Sequence, residues 1–172
     1  MKPIFLIGLP GSGKSTFGKS LASALNLNHV DLDQLIESKN NKSINALFEI
    51  YGEAYFREIE RNALQELLDK SSSDILSCGG GTPCFYDNMS RMNTAGLTVF
   101  LDIPVATIVK RLAKNHDRPI LKNKNLEKTI TQMRVERIQY YNQAQIIFGE
   151  LENQAKQVLE IQSYLKIQSK GE

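Results

Sequence analysis

The sequence predicts an α/β fold in which a parallel β-sheet is sandwiched between helices. Three observations carry that expectation. Short apolar, β-rich runs alternate with longer segments of helical period along the chain. The first run, residues 3–8, shows no polar alternation, as a strand buried on both faces requires. A glycine-rich loop then stands between that run and the first amphipathic segment. Strands that alternate with helices pair in parallel, with the helices covering both faces. Ligands of such sheets sit beyond the carboxyl ends of the strands.

The elements follow in order. After the strand at 3–8, a helix is expected from about Lys14, with Phe17, Leu21 and Leu25 four apart on one face. Residues 29–33 form a short second strand with acids at its C-terminal end. A polar helix is expected near 34–40 and a shorter one near 43–50. A long helix at 53–68 buries Phe56, Ile59, Ala63 and Leu67. Residues 74–78 make a third strand that runs into Gly79, Gly80 and Gly81, and residues 97–103 make a fourth. Pro104 suits a helix start, and Val105, Ile108, Val109 and Leu112 continue with helical spacing. A polar stretch at 116–125, broken by Pro119, separates that helix from one at 126–141. Residues 146–148 supply a fifth strand, and Leu151, Ala155, Val158 and Leu159 mark a closing helix. No internal repeat, low-complexity tract or linker interrupts the pattern.

A chain of 172 residues is expected to form one domain, residues 1–172, with a self-sufficient core. Its 41% hydrophobic and 23% charged residues exclude a disordered or fibrous chain. A net charge of +2 argues against non-specific nucleic-acid binding, which needs a large basic excess. The longest apolar run, residues 4–7, is far short of the ~20 residues a membrane span needs. The same run is too short for a signal peptide and leads straight into the glycine loop. The two cysteines, Cys78 and Cys84, flank a glycine-rich turn and are expected to stay reduced in the cytoplasm. Two thiols cannot build a structural zinc site, and His29 and His116 lack ligand spacing.

Gly8-Leu-Pro-Gly11-Ser12-Gly13-Lys14-Ser15 satisfies G-x-x-x-x-G-K-[ST] between a strand and a helix. Its glycines let successive backbone N–H groups turn around phosphate oxygens, and the helix N-terminus adds positive partial charge. Lys14 can reach the β- and γ-phosphates of ATP, and the Ser15 hydroxyl can ligate Mg²⁺. Phosphate binding follows, but the acceptor is not named by this motif.

Asp31 and Asp33 close the second strand, where they either cap the next helix or serve a metal and an acceptor hydroxyl. Three glycines in a row after the third strand suggest a backbone very close to a ligand. Arg57 and Glu60 lie one helical turn apart beside the apolar stripe; they form either a surface pair or part of a site. Arg134 and Arg137 pose the same alternative.

Together the phosphate loop, Asp31-Leu-Asp33, Phe56-Arg57-x-x-Glu60, Gly79-Gly80-Gly81 and Arg118-Pro119-Ile120-Leu121 resemble the shikimate kinase family over residues 4–141, about four-fifths of the chain. The phosphate loop is shared by many ATPases; the glycine triplet with Phe-Arg-x-x-Glu and Asp-x-Asp is far more specific. The resemblance implies a nucleoside-monophosphate-kinase-like, P-loop fold with a five-stranded parallel sheet and a mobile lid near 116–125. It implies transfer of the ATP γ-phosphate to the 3-hydroxyl of shikimate. By position, Asp33 matches the residue that holds the acceptor hydroxyl, while Arg57, Arg137 and Gly79, Gly80 and Gly81 match those that hold shikimate. Glu60 matches the residue orienting Arg57, and Ile44, Phe48 and Phe56 match an apolar wall. Asp31 matches the acid that reaches Mg²⁺ through water. Gly11, Ser12, Gly13, Lys14, Ser15 and Thr16 match the ATP-binding loop, Arg118 the lid arginine and Arg111 the residue stacked on adenine. No residue near 149–153 is assigned. The substrate-binding helices are expected at about 34–68, and a monomer is expected.

Other kinases of the fold, for gluconate or AMP, share the loop and an arginine-bearing lid but leave the glycine triplet and Phe56-Arg57-x-x-Glu60 unexplained. A silent nucleotide-binding module predicts loss of Lys14, Ser15 or Asp33, and all three are present.

Overall fold

The computed structural model describes residues 2–70, 74–113, 125–149 and 154–168. Within them, five strands form one sheet: β1 (Ile4–Ile7), β2 (His29–Asp31), β3 (Ile75–Ser77), β4 (Leu97–Leu101) and β5 (Ile146–Phe148). Their order across the sheet is β2-β3-β1-β4-β5, and every pairing is parallel. All four residues of β1 are buried, as a central strand covered on both faces must be.

Among the described residues the helices are α1 (Lys14–Leu25), α2 (Leu32–Asn40), α3 (Ile44–Asp69), α4 (Asn88–Ala95), α5 (Val105–Ala113), α6 (Leu126–Tyr141) and α7 (Gln154–Gln168), with a 3-10 turn at Thr82–Cys84. Phe17 and Leu21 of α1 are fully buried, and Phe17 meets Phe148 of β5 edge-on. Burying side chains of this size contributes about 1.5–3 kcal/mol each. On the opposite side Phe100 of β4 stacks against Tyr141, the last residue of α6. Strand order places the ends of β1, β3 and β2 side by side, so the segments leaving them converge.

The sequence reading and the structure differ in several places. The second strand stops at Asp31 rather than residue 33, because Asp31 Oδ1 caps α2 by accepting the backbone N–H groups of Asp33 and Gln34. Asp33 therefore lies in the first turn of a helix. The helical stretches expected near 43–50 and 53–68 join into α3 across a kink at Gly52, whose φ of 78° is closed to most L-residues. Helix α4 was not expected, since Met89 and Met92 are its only large buried apolar residues. In α7 Leu159 is exposed; Ile161 is the buried anchor, with Val158 packed beside it. Leu151, with most of the expected lid and Arg118 itself, lies outside the described residues.

Candidate active site

The loop between β1 and α1 turns through three left-handed or extended glycines, Gly8 (φ 144°), Gly11 (φ 82°) and Gly13 (φ 97°). Gly13 is the N-cap of α1 and supplies no side-chain acceptor, so the first backbone N–H groups of the helix remain available to an anion. Lys14 Nζ donates to the carbonyls of Gly8 (3.0 Å) and Leu9 (2.9 Å), which holds the ammonium over the loop. Arg111 of α5 donates to the Ser12 carbonyl at 3.0 Å and ties the loop to the far side of the sheet. The Ser12 hydroxyl is fully buried, with no hydrogen-bond partner in this structure. Thr16 follows in the first turn of α1 and is exposed.

Ser15 Oγ donates to Asp31 Oδ2 at 2.5 Å. Asp31 thus caps α2 with one oxygen and faces Ser15 with the other. A hydroxyl and a carboxylate oxygen side by side at the phosphate loop suit Mg²⁺, a hard cation that keeps most of its waters and takes few protein ligands. Among the described residues, no group of three or more His, Cys, Asp or Glu could hold a metal.

The glycine triplet forms the wall between this loop and a second cluster. A β-carbon on Gly79 would lie 2.7 Å from Asp33 Oδ1 and 2.8 Å from Glu60 Oε1. One on Gly80 would lie 2.9 Å from Pro10 of the phosphate loop and 3.1 Å from Arg137 Nη1. One on Gly81 would meet the Arg57 guanidinium at 2.5–2.8 Å. None of the three glycines has a positive φ. Close approach, not backbone freedom, demands them. The expected crowding against a ligand is met first by crowding against the side chains that would hold it.

Arg57 is not a surface residue. Its side chain is 10% exposed, and Nη1 donates at 2.9 Å to Glu60 Oε2, on a side chain only 1% exposed. Glu60 is held in turn by the Thr82 hydroxyl, which donates to Oε1 at 2.6 Å, and Asn88 Nδ2 donates to the Thr82 carbonyl. Glu53, one turn before Arg57, accepts from Nε (3.2 Å) and Nη2 (2.9 Å). The guanidinium lies over the ring of Phe85 at 4.1 Å and near Phe56 and Phe48, at 5.2 and 5.6 Å. Phe48 and Phe56 stack on each other, 4.4 Å apart, and Ile44 packs partly buried at the start of the same helix.

The two arginines of α6 separate. Arg137 joins the site beside Gly80, whereas Arg134 pairs with Asp102 at the end of β4 through Nη1 and Nη2, a structural ion pair. Tyr141 Oη donates to the Gly80 carbonyl at 2.5 Å. Burial pushes the Tyr141 hydroxyl well above its ordinary range against the opposing charge of Arg137, so it stays a donor. Sequence reasoning missed Glu53, Thr82, Phe85 and Tyr141 as site residues. Glu53 was visible as a carboxylate four residues before Arg57; the other three are brought in by tertiary packing alone.

Both cysteines are free. Cys78 is buried against Met92 Sδ (3.7 Å), and burial raises its thiol far above the ordinary value. Burial also raises Cys84, to about 11, although Arg137 and Arg57 oppose it. Neither thiol is activated.

A family model described as shikimate kinase matches residues 10–166. The shikimate kinase of Bacteroides thetaiotaomicron is 44% identical over 153 residues, covering 87% of each chain. A crystal structure of shikimate kinase from that organism superposes with a TM-score of 0.89 at 42% identity, over 96% of this chain and 98% of that one. The shikimate kinase of Acinetobacter baumannii in complex with shikimate superposes at 0.86 with 29% identity, over 99% and 95%.

Proposed function

The chain belongs to the shikimate kinase family, and from that premise we propose how its residues divide the work of moving the γ-phosphate of ATP to the 3-hydroxyl of shikimate. The observation that carries the reading is the glycine wall: Pro10 of the phosphate loop packs on Gly80, while Asp33, Glu60 and Arg57 crowd Gly79 and Gly81 from the other side. A donor phosphate and an acceptor anion held on that wall would be neighbours.

Arg57 and Arg137 bind the shikimate carboxylate, since planar guanidinium forks match a carboxylate's two oxygens. Phe48 and Phe56 face the apolar side of its ring. Asp33 holds the acceptor hydroxyl and takes its proton as the new O–P bond forms and the bond to the ADP oxygen breaks. Lys14 and the N–H groups of residues 11–16 stabilise charge on the transferring phosphoryl group. Ser15 directly, and Asp31 through water, would hold Mg²⁺, which supplies charge neutralisation at the phosphates when bound. Arg111 serves the nucleobase side. Arg118 belongs to a lid near 116–125 that closes over both substrates, with the helices at about 34–68 as the acceptor side. The reading takes the chain as a single domain, a monomer and cytoplasmic. No helix among the described residues is long and apolar enough to cross a membrane.

A coupled ADP-release assay with Mg²⁺ tests the reading: shikimate stimulates release, while gluconate and AMP do not. Equal stimulation by AMP would leave only a P-loop kinase of another acceptor.

A further inference from the structure

Arg57 is held by two carboxylates of opposite character, and that asymmetry assigns a role to Glu53. We propose that Glu53 is a displaceable internal competitor, occupying the edge of Arg57 that a substrate carboxylate must take. The inference rests on the reading of Arg57 as the carboxylate clamp.

A guanidinium offers two paired-donor edges and two faces. The rings of Phe85, Phe56 and Phe48 surround it, their centres 4.1, 5.2 and 5.6 Å from Cζ. The Nη1 side is committed to Glu60, which is almost fully buried and fixed by Thr82, so it has nowhere to go. The remaining edge, Nε with Nη2, is the one that grips a carboxylate bidentately, and a single oxygen of Glu53 now spans both nitrogens. Glu53 is 57% exposed and sits just past the Gly52 kink, where nothing packs within 4 Å of the missing side chain. It can swing into water at the cost of one ion pair that is open to solvent on the carboxylate side.

An incoming carboxylate therefore exchanges with Glu53. A neutral analogue brings no group to drive that exchange. Between turnovers Glu53 keeps the edge of a nearly buried cation paired.

The test is Glu53→Gln, which keeps size and removes charge. Shikimate is titrated calorimetrically and its KM measured at saturating ATP. The expected result is that Kd and KM fall at least about two- to fivefold, the range of a surface ion pair, and that the gain shrinks in high salt. The carboxamide analogue of shikimate should bind both proteins equally. An unchanged or raised shikimate KM in Glu53→Gln, or an equal gain for the carboxamide, overturns the proposal. Glu53→Ala, made in parallel, must move in the same direction. If wild-type protein fails to turn over shikimate, the proposed function falls; if it turns over and only the Glu53 shift has the wrong sign, this inference alone falls.

Discussion

Gly81→Ala isolates one physical cause. Gly81 has a φ of −91°, which alanine adopts without strain, so the backbone is not at issue. The added β-carbon would meet Arg57 Nη1, Nη2 and Cζ at 2.5, 2.7 and 2.8 Å. Ordinary contact needs roughly 3.5 Å, so the guanidinium must retreat by more than about half an ångström. Its Cζ already lies 4.1 Å from the centre of the Phe85 ring, and the 2.9 Å bond to Glu60 would be stretched or lost. A hydrogen bond between charged groups is worth about 1.5–3 kcal/mol, and at 1.4 kcal/mol per tenfold the shikimate KM should rise roughly 10- to 150-fold. ATP affinity should stay near normal, since Pro10 of the phosphate loop lies against Gly80, while the atoms nearest a β-carbon on Gly81 are those of Arg57. Steady-state kinetics with shikimate varied at saturating ATP, beside nucleotide titration, measure both. A shikimate KM within twofold of wild type would refute the claim that the triplet exists to let Arg57 approach.

Asp33→Asn should lower kcat by on the order of 10²-fold or more with ATP binding unchanged, because the amide cannot take the hydroxyl proton; lost ATP affinity with normal turnover would move Asp33 to the metal side. Arg57→Ala should raise the shikimate KM by the equivalent of about 2–5 kcal/mol, since it also strands buried Glu60. Arg118→Ala should lower kcat with a much smaller change in KM, the pattern of a contact made mainly in the transition state; KM effects alone in both variants would make Arg118 a second clamp. Burial holds the His29 imidazole below its ordinary value, against a raising influence of Asp31 and with a lowering one from Lys19. The unfolded chain then binds more protons at this ring, so its contribution to stability is present above about pH 6.5 and is lost as the pH falls. Thermal melts near pH 7.5 and pH 5.5 should show a fall in Tm that His29→Asn reduces, and an equal fall in both proteins would count against it.

The sheet was legible because its strands are short apolar runs between strong punctuation. The phosphate loop was legible because its chemistry demands glycines at fixed offsets from a lysine. Features set by few or polar contacts were not. Helix α4 buries Asn88 along with Met89 and Met92, and so lacks an apolar stripe. The fate of Asp33 turned on a two-residue matter, the capping preference of Asp31, which ends a strand and starts a helix at one residue. Spacing alone left Arg57–Glu60 and Arg134–Arg137 undecided between surface and site. The first pair is buried, and the second separates, Arg137 to a place beside Gly80 and Arg134 to Asp102.

That split explains how a chain of net charge +2 can hold a small anion without a basic surface. Long-range field would require many unpaired cations, and it would recruit nucleic acid as readily as a metabolite. Here cationic groups are paired at short range: Arg57 by Glu60 and Glu53, and Arg134 by Asp102. Recognition must then come from donor geometry at one edge rather than from attraction at a distance. Such a site favours ligands whose carboxylate fits a fixed fork and discriminates against anions that merely carry charge. The glycine wall completes the argument, since it sets how near that fork lies to Asp33 and to the phosphate loop. A side chain at any of the three positions would shift the acceptor's carboxylate, its hydroxyl or the phosphates relative to one another, and in-line transfer depends on that alignment.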